Sequence, residues 1–338
     1  MRAQVLTKFG GPENFHLTDI PKPAIEPGKL LIRVAATSVN PVDIKIRAGL
    51  PIGPDLPAVL GADVAGVVEA VGAGVLGFAP GDEVYGCAGG VKGQGGAMAE
   101  YMLADARLVA PKPRSLSMGQ AAALPLVAIT AWELLERSGV GAIDHILIHG
   151  GVGGVGHVAV QLAKTLGARI ATTVASAEAA VLAKSFGADE TTNYREETVD
   201  AYTDRLTAGH GFDVVIDTIG GNNLPNSFSA LACEGRIATT NAFTTQDLGP
   251  LHAKAASLHV IFMLLPMLRG PGRDRHGRIL RSLAGIVDDG KLRPLVDDSH
   301  FTLETAPDAH RRLEAGKAHG KVVIDIAPDW RPMSRPKT

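Results

Sequence analysis

Cysteine is nearly absent from this sequence. Cys87 and Cys233 are the only two in 338 residues, and they lie far apart in the chain. Disulfide-stabilised scaffolds and zinc knuckles both require several cysteines at short spacings. The composition therefore excludes a disulfide framework and a cysteine zinc knuckle.

A strong net charge and long basic runs are also absent. The formal net charge is -2 at pH 7. Proteins that bind nucleic acids or anionic membranes through electrostatic attraction carry a basic surface. We therefore expect a small molecule as the partner, and neither a nucleic acid nor a membrane.

Apolar runs long enough to cross a bilayer do not occur. The longest, residues 121–132 and 260–268, are short and contain Pro125 and Pro266. The first six residues, MRAQVL, lack the apolar core of a signal peptide. These features favour a cytoplasmic protein.

The sequence does contain a glycine-rich loop between an apolar run and an amphipathic segment. The loop consists of Gly150, Gly151, Val152, Gly153, Gly154, Val155 and Gly156. Residues 146–148 before it predict a buried strand, and the apolar residues after it recur at helical spacing. A strand, a glycine loop and a helix in this order typically bind the pyrophosphate of a dinucleotide.

The glycines of this loop have different expected roles. Gly151 is expected to form the turn, Gly153 to let the backbone approach the diphosphate, and Gly156 to allow close contact between helix and strand. A second strand at 169–174 and a helix ending before Gly187 follow at the spacing of a βαβ unit. The alternative interpretation is a tight loop without a ligand.

The chain changes character near residue 120. The earlier part has short β segments at 3–7, 30–38, 63–71 and 83–86, separated by Pro and Gly, which predicts a barrel-like domain. Strands and helices alternate afterwards, with further strands at 213–217 and 236–240, which predicts a wound parallel sheet. A helix at 277–288 and a strand at 321–325 are expected to return to the first domain, and residues 330–338 to form a peripheral extension.

Several segments together resemble the zinc-independent quinone oxidoreductases of the medium-chain dehydrogenase/reductase superfamily. They are NPVD (40–43), LGADVAGVV (60–68), GDEVYG (81–86), AEY (99–101), AAALP (121–125), TAW (130–132), the glycine loop and QLAK (161–164). The resemblance implies an α/β fold with two domains. These are a GroES-like β-rich catalytic domain, residues 1–120 with 265–338, and a Rossmann doubly wound parallel sheet, residues 121–264.

The superfamily's zinc-dependent alcohol dehydrogenases have a Cys near the position of Asn40 and a His in a Gly-His-Glu motif. This sequence has Asn40 and Ala62 at those positions. A catalytic zinc needs three protein ligands, so the resemblance predicts no metal site and argues against a zinc alcohol dehydrogenase. Hydride delivery to a quinone or an α,β-unsaturated carbonyl stays feasible, because the cofactor carries that chemistry.

The resemblance also assigns site residues. Candidates for catalysis are Asn40, Asp43, Lys45 and Tyr85. Candidates for cofactor contacts are Thr130, the glycine loop, Ser176, Tyr194 and Lys321. Asn40 would offer a neutral amide to the substrate or to water, and Asp43 would position neighbouring groups. Lys45 would stabilise an enolate oxygen or supply a proton. The alternatives are an ordinary turn at Asn40 and Asp43, a solvated Lys45 and a packed Tyr85.

The expected cofactor is NADPH, with NADH as an alternative. Residues 172–176 contain no acidic side chain to bind the ribose hydroxyls of NAD, whereas Ser176, Tyr194 and Arg195 offer donors to a 2′-phosphate. Members that prefer NADPH also place a lysine where this chain has Ala179, so one cation is missing.

The same comparison favours an enone over a quinone as the acceptor. Many quinone reductases of the family have aromatic residues where this chain has Lys45 and Pro51. The alternative hypothesis from another functional class is a redox-sensing or RNA-associated protein that binds the cofactor without turnover.

A homodimer is also expected. The apolar segment 256–262 lies where the family's nucleotide-domain sheet ends in an exposed edge strand, which two copies could pair. The alternative is that this segment is internal core.

Overall fold

The computed structural model describes residues 1–327; the tail predicted as a peripheral extension, residues 330–338, lies outside the described residues. The chain forms two compact units. The first comprises residues 1–126, 264–290 and 294–327, and the second comprises residues 127–263 and 291–293. The sequence placed the boundaries after residues 120 and 264, and the structure places them after 126 and 263.

The first unit begins with short strands. Its elements in chain order are β1 (Arg2–Leu6), β2 (Phe15–Asp19), β3 (Lys29–Val39), α1 (Pro41–Arg47), β4 (Ala58–Val59), β5 (Asp63–Val71), β6 (Glu83–Cys87), β7 (Tyr101–Asp105), β8 (Val109–Pro111) and α2 (Met118–Ala122). Gly28 and Gly81 turn the chain at φ values of +76° and +93°. Glycine adopts this left-handed backbone without strain, which explains the glycines between these strands.

The second unit alternates helices and strands. Its elements are α3 (Pro125–Arg137), which starts at the end of the first unit, β9 (His145–His149), α4 (Gly156–Thr165), β10 (Arg169–Val174), α5 (Ala177–Ser185), β11 (Glu190–Asn193), α6 (Val199–Thr207), β12 (Phe212–Asp217), α7 (Leu224–Ala230), β13 (Leu231–Thr239), α8 (Gly249–Ala253) and β14 (Ser257–Val260).

The chain then returns to the first unit. The returning elements are α9 (Leu265–Arg269), α10 (Arg273–Asp288), β15 (Phe301–Thr302), α11 (Ala306–Glu314) and β16 (Val322–Asp325). β16 pairs antiparallel with β3, and Val322 lies opposite Val39. The predicted return of the carboxyl-terminal segment to the first domain is therefore confirmed.

The first unit contains two sheets. One has the order β2-β1-β4, and the larger has the order β15-β16-β3-β5-β6-β8, with β7 also paired to β3. β3 is buried along most of its length, because it pairs with β5, β7 and β16.

The second unit contains one parallel sheet in the order β11-β10-β9-β12-β13-β14. The strand order reverses between β9 and β12, which is the switch point where open α/β sheets bind ligands at the carboxyl ends of their strands. Leu147 on β9, Val215 on β12 and Phe212 belong to one buried cluster on a face of this sheet. The predicted doubly wound sheet is confirmed.

β14 is the last strand of this sheet, as the sequence predicted for segment 256–262. It pairs with β13, and no further strand among residues 1–327 continues the sheet. The alternative of an internal core strand is wrong, because Val260 and Phe262 are 45% and 40% exposed.

Across residues 1–327, no helix is both long and apolar enough to cross a membrane.

Candidate active site

The glycine loop follows β9 at the carboxyl edge of the parallel sheet. Gly150 makes the turn with φ of +75°, and the Gly153 amide donates to the Gly150 carbonyl at 2.9 Å. A Cβ at Gly151 would lie 2.1 Å from Thr172 Oγ1 on the neighbouring strand. The turn that this bond closes runs from Gly150 to Gly153 and includes Gly151, and packing against Thr172 is a second requirement for glycine at that position.

Gly156 and Gly153 differ, because Gly156 is buried by packing and Gly153 is exposed. A Cβ at Gly156 would lie 2.0 Å from the Gly150 carbonyl oxygen, so Gly156 is required for close contact between helix and loop. Gly153 is exposed, and a Cβ there would meet only the Gly150 carbonyl oxygen, at 3.2 Å. Internal packing thus accounts for Gly156 but leaves the Gly153 position open toward solvent.

The rest of the loop is accessible to a ligand. Val152, Gly154 and Val155 are partly exposed. The N-cap residue of α4 is Val155, whose apolar side chain makes no hydrogen bond to the first turn. Exposed backbone at the start of a helix suits a phosphate or diphosphate group, so this loop fits the expected cofactor.

The candidates for the 2′-phosphate lie at the same edge of the sheet. β10 and β11 are neighbours, with Val174 opposite Asn193, and the Tyr194 amide donates to the Val174 carbonyl at 3.2 Å. Tyr194 is 53% exposed, and the Arg195 guanidinium lies 5.9 Å from its ring centre. The Ser176 hydroxyl caps α5 by accepting from the Ala179 amide at 3.2 Å.

Sequence reasoning missed an acidic group at this place. Glu178 lies in the first turn of α5, and its side-chain hydrogen bond with Ser176 lowers the pKa of its carboxyl. An acid that binds the ribose of NAD is expected at the end of the second strand, whereas this carboxylate belongs to the helix that follows. Glu178 therefore adds a negative charge beside one expected phosphate donor.

Asp217 was also missed. It ends β12 beside the switch point, and it accepts from the amides of Ile219 and Gly220, from Asn223 Nδ2 and from Ser227 Oγ at 2.8–3.2 Å. These bonds fix the loop that follows β12. The sequence signal that could have identified Asp217 is an acidic residue at the end of a predicted buried strand.

Thr130, the remaining cofactor candidate of the second unit, lies in the middle of α3 and is 5% exposed.

The candidates of the first unit meet in a buried polar cluster formed by Asn40, Asp43, Asp63 and Lys321. Asn40 follows β3 and begins α1, with Pro41 at the first helical position, where a missing N–H costs nothing. Asp63 begins β5, and Lys321 immediately precedes β16. All four side chains are at most 3% exposed.

Asn40 is the centre of this cluster. Its backbone amide donates to Asp43 Oδ2 at 2.8 Å, and its side-chain Nδ2 donates to Asp63 Oδ2 at 2.8 Å. Lys321 Nζ donates to Asn40 Oδ1 and, at 3.1 Å, to the Val39 carbonyl. The turn interpretation of Asn40 and Asp43 is thus incomplete, because their side chains join a network that spans β3, β5 and the chain before β16.

Asp63 is the most fully hydrogen-bonded carboxylate of the cluster. It accepts from Ser38 Oγ and from the Leu126 amide, each at 2.8 Å, in addition to Asn40. Its Oδ2 lies 3.7 Å from Lys321 Nζ. Asp63 belongs to the segment LGADVAGVV that carries the resemblance, but its role was not predicted from the sequence, because its partners lie on distant segments.

Burial dominates the electrostatics of the cluster. It is the main reason that the pKa of Asp43 is raised to about 6; the charge of Asp63 also acts to raise this pKa, whereas the hydrogen bonds from Asn40 and the charge of Lys321 act to lower it. It also raises the pKa of Asp63 and lowers that of Lys321, while the attraction between these two opposes both shifts. Two carboxyls and one ammonium share the site, so the cluster has one acid more than it has cations.

The two other catalytic candidates lie outside this network. Lys45 is on α1 with an exposed side chain. Tyr85 is fully buried on β6, and its hydroxyl donates to the Leu280 carbonyl at 2.6 Å. This bond favours the packing interpretation of Tyr85.

A zinc ion does not fit the residues present. Asn40 and Ala62 replace two ligands, and the cation that contacts Asn40 is the Lys321 ammonium. Among residues 1–327, no group of three or more His, Cys, Asp or Glu side chains is arranged to hold a metal ion.

Family models match both parts of the chain. The alcohol dehydrogenase GroES-like domain matches residues 26–114, and the zinc-binding dehydrogenase domain matches residues 186–324.

Known proteins are similar over nearly the whole chain. It is 35% identical to 2-methylene-furan-3-one reductase of Solanum lycopersicum, over 97% of this chain and 80% of that protein. It is 34% identical to quinone oxidoreductase of Rattus norvegicus, over 96% of this chain and 97% of that protein. It is 34% identical to the chloroplastic NADPH-dependent alkenal/one oxidoreductase of Arabidopsis thaliana, over 97% and 80%.

Solved structures of known proteins are also similar to this chain over nearly its whole length. An alcohol dehydrogenase superfamily protein from Novosphingobium aromaticivorans matches with a TM-score of 0.93 and 38% identity, over 97% of this chain and 100% of that one. A mycobacterial protein solved in complex with NADPH matches with a TM-score of 0.84 and 32% identity, over 96% and 99%. The GroES-like and Rossmann fold is confirmed, and the chain belongs to the medium-chain dehydrogenase/reductase superfamily of oxidoreductases, as a quinone oxidoreductase-like member.

Proposed function

We propose that this protein is an NADPH-dependent reductase of α,β-unsaturated carbonyls or quinones that works without zinc. The observation that carries the proposal is the buried cluster at Asn40, in which Lys321 is the cation. The substrate class is supported by the relatives named 2-methylene-furan-3-one reductase, quinone oxidoreductase and NADPH-dependent alkenal/one oxidoreductase.

The cofactor would bind at the carboxyl edge of the parallel sheet. The exposed backbone at Gly153 and the start of α4 would hold the diphosphate. Ser176, Tyr194 and Arg195 would contact the 2′-phosphate, with Glu178 opposing that charge. The NADPH named in one relative and bound in one similar structure supports this choice.

The cofactor, when bound, supplies a hydride. The protein has to stabilise the oxygen of the acceptor, which becomes negative as its conjugated carbon is reduced. The exposed Lys45 ammonium is the donor proposed for this oxygen, and it could also supply the proton. The Asn40 amide, the other candidate from the resemblance, is fully buried in its cluster.

An enone suits this site better than a simple ketone or alcohol. A simple carbonyl needs a Lewis acid to polarise it, whereas a conjugated acceptor spreads the developing charge itself. Lys45 and Pro51, in place of aromatic residues, offer no stacking surface for a large quinone ring, so we rank the enone first.

The test is oxidation of NADPH and NADH by the purified protein with a small panel of acceptors. The panel consists of a 2-alkenal, a cyclic enone, para-benzoquinone and a saturated ketone. We expect the conjugated acceptors to be reduced with NADPH and the saturated ketone to be inert, with rates unchanged by a chelator. Stoichiometric zinc required for turnover would contradict the proposal. NADPH binding without turnover of any acceptor would favour the cofactor-binding module.

A further inference from the structure

We propose that His157 is a positioning residue for the glycine loop. Its side chain holds the carbonyl of Gly153 against helix α4, so that the amide of Gly154 stays directed at the diphosphate of NADPH. This inference rests on the proposed function, because the loop is the place proposed there for the diphosphate. His157 is the second residue of α4, and sequence reasoning gave it no role.

The imidazole of His157 bonds directly to the loop. The residue is fully buried, and its Nδ1 lies 2.9 Å from the Gly153 carbonyl oxygen. A carbonyl oxygen can only accept, so Nδ1 carries a proton and is the donor. The backbone amide of His157 donates to the same oxygen at 3.1 Å. Two donors of one residue therefore hold one carbonyl.

The peptide at Gly153 needs such a restraint. Gly153 is exposed, and the nearest atom that a Cβ there would meet is the Gly150 carbonyl oxygen at 3.2 Å, so side-chain packing does not fix this part of the loop. Glycine also has more backbone freedom than any other residue. The bond from the buried ring supplies a restraint that neither the residue type nor packing provides.

The direction of the Gly153 carbonyl decides which group the loop presents to a phosphate. The C=O of a trans peptide and the N–H that follows it point in opposite directions. With this carbonyl turned toward His157, the Gly154 amide points out of the amino-terminal end of α4, and it makes no hydrogen bond within residues 1–327. A phosphate accepts from such an amide, whereas a carbonyl oxygen turned outward would repel its charge.

A packing role for the ring is the alternative. The ring lies against Phe186, with the two ring centres 5.7 Å apart. Two substitutions separate the roles. His157→Phe keeps an aromatic ring beside Phe186 but has no donor. His157→Asn loses the ring, but its side-chain N–H lies close to the place of Nδ1–H in histidine and can donate to the same carbonyl.

The first measurement is the dissociation constant of NADPH, obtained by fluorescence titration. We expect His157→Phe to weaken binding by about tenfold, because the loop loses a restraining hydrogen bond, and His157→Asn to stay within about twofold of the parent. Parental affinity in His157→Phe would overturn the proposal. So would a loss of affinity in His157→Asn that His157→Phe does not show.

Thr165→Val is the matched control. The hydroxyl of Thr165 also donates to a main-chain carbonyl of α4, that of Leu162 at 2.7 Å, but at the opposite end of the helix from the loop. Its loss should leave the affinity for NADPH unchanged. Equal weakening in Thr165→Val and His157→Phe would overturn the proposal, because any lost bond of the helix would then have the same effect.

A second ligand distinguishes an effect at the loop from a general loss of the nucleotide site. 2′-AMP carries the phosphate proposed to contact Ser176 and Tyr194, but it has no diphosphate. We expect its affinity, measured by calorimetry, to be parental in His157→Phe. Equal weakening of 2′-AMP and NADPH would mean that the variant disturbs the whole site, and it would overturn the proposal.

Turnover separates this inference from the proposed function. With an enone as acceptor, the KM for NADPH should rise in His157→Phe, while kcat at saturating NADPH should stay near the parental value. A parent that binds NADPH but reduces no acceptor would contradict the proposed reductase and not the role of His157. Parental NADPH affinity in Gly153→Val would contradict both, because the diphosphate would then bind elsewhere. Weak binding in Gly153→Val with parental affinity in His157→Phe would overturn this inference alone.

Discussion

At the scale of single residues, the positions of the glycine loop require glycine for different reasons: some for packing within the protein, and one for access of a ligand. Gly151 and Gly156 are fixed by atoms of the protein, since a Cβ would lie within about 2 Å of Thr172 or of the Gly150 carbonyl. Gly153 is not fixed in this way. The loop was predictable as a motif, but the division of roles within it depends on which strand lies beside each glycine.

Gly153→Val tests the binding role of the loop. The new side chain would extend from an exposed position, so we expect the free energy of unfolding to change by about 1 kcal/mol or less. NADPH binding should weaken by more than about tenfold, measured by fluorescence titration. Gly285→Ala is the control, because a Cβ there meets nothing within 4 Å in helix α10. Parental affinity in Gly153→Val would show that the diphosphate binds elsewhere.

Ala179→Lys tests the position of the 2′-phosphate. The amide of Ala179 donates to Ser176 in the first turn of α5, so a lysine there would add a cation beside Ser176 and Glu178. We expect the ratio of NADPH to NADH affinity to rise by about tenfold at low salt and to fall again as salt is added.

The control for this change is Val181→Lys, on the same helix at a position that is 71% exposed. It adds the same charge two residues further on, where it points elsewhere. Equal cofactor ratios in both lysine variants and the parent would show that α5 does not face the phosphate.

Asp43 should make stability depend on pH. Burial raises its pKa from 3.8 to about 6, with Asp63 raising it and Lys321 and the Asn40 hydrogen bonds lowering it. Below about pH 4 the carboxyl is neutral in both folded and unfolded states. As the pH rises from about 4 to 6 only the unfolded state ionises, so folding loses about 3 kcal/mol and then no more.

Urea unfolding of the parent and of Asp43→Asn between pH 4 and 8 measures this contribution. The parent's stability minus the variant's should decrease with rising pH and become constant above about pH 6. A difference that increases with pH would mean that Asp43 is stabilised as a carboxylate in the folded protein.

At the scale of elements, β14 is the exposed end of the parallel sheet. The Ile261 amide donates to the Thr239 carbonyl of β13 at 2.8 Å. Alternation along the strand therefore directs the Val260 amide outward, away from β13. Arg137 donates to the Val260 carbonyl at 3.0 Å, so one acceptor on this edge is already occupied.

We propose that two copies pair through this edge, and Val260→Pro tests it. Proline removes the outward amide without breaking a bond to β13, so it should give monomers while the fold is retained. Val260→Thr keeps the amide and the branched side chain and should remain dimeric. Analytical ultracentrifugation at micromolar concentration measures both, and a parent protein that sediments as a monomer would rule out this dimer.

At the scale of the whole molecule, the sequence predicted most of the architecture. β5 and β10 have the predicted bounds, and the glycine loop joins β9 to α4 as expected. The first boundary between the units lies six residues later than predicted, because helix α3 begins in the first unit and continues into the second. The helical periodicity of the sequence continues across this boundary, so it could not indicate where the first unit ends.

The sequence by itself determined what depends on neighbouring residues: the strands, the amphipathic helices, the glycine loop and the absence of the usual zinc ligands. Tertiary structure decided the arrangement of the site. Lys321 lies 281 residues from Asn40, and Asp63 lies 23 residues away, and only strand pairing brings the three together. The partners of Tyr85 and Glu178 were also not predictable from the sequence. Tyr85 is bonded to Leu280, which is distant in the chain, and Glu178 is brought beside Ser176 by the first turn of α5. Local pattern fixes backbone conformation, whereas burial and charge pairing depend on segments that are distant in the chain.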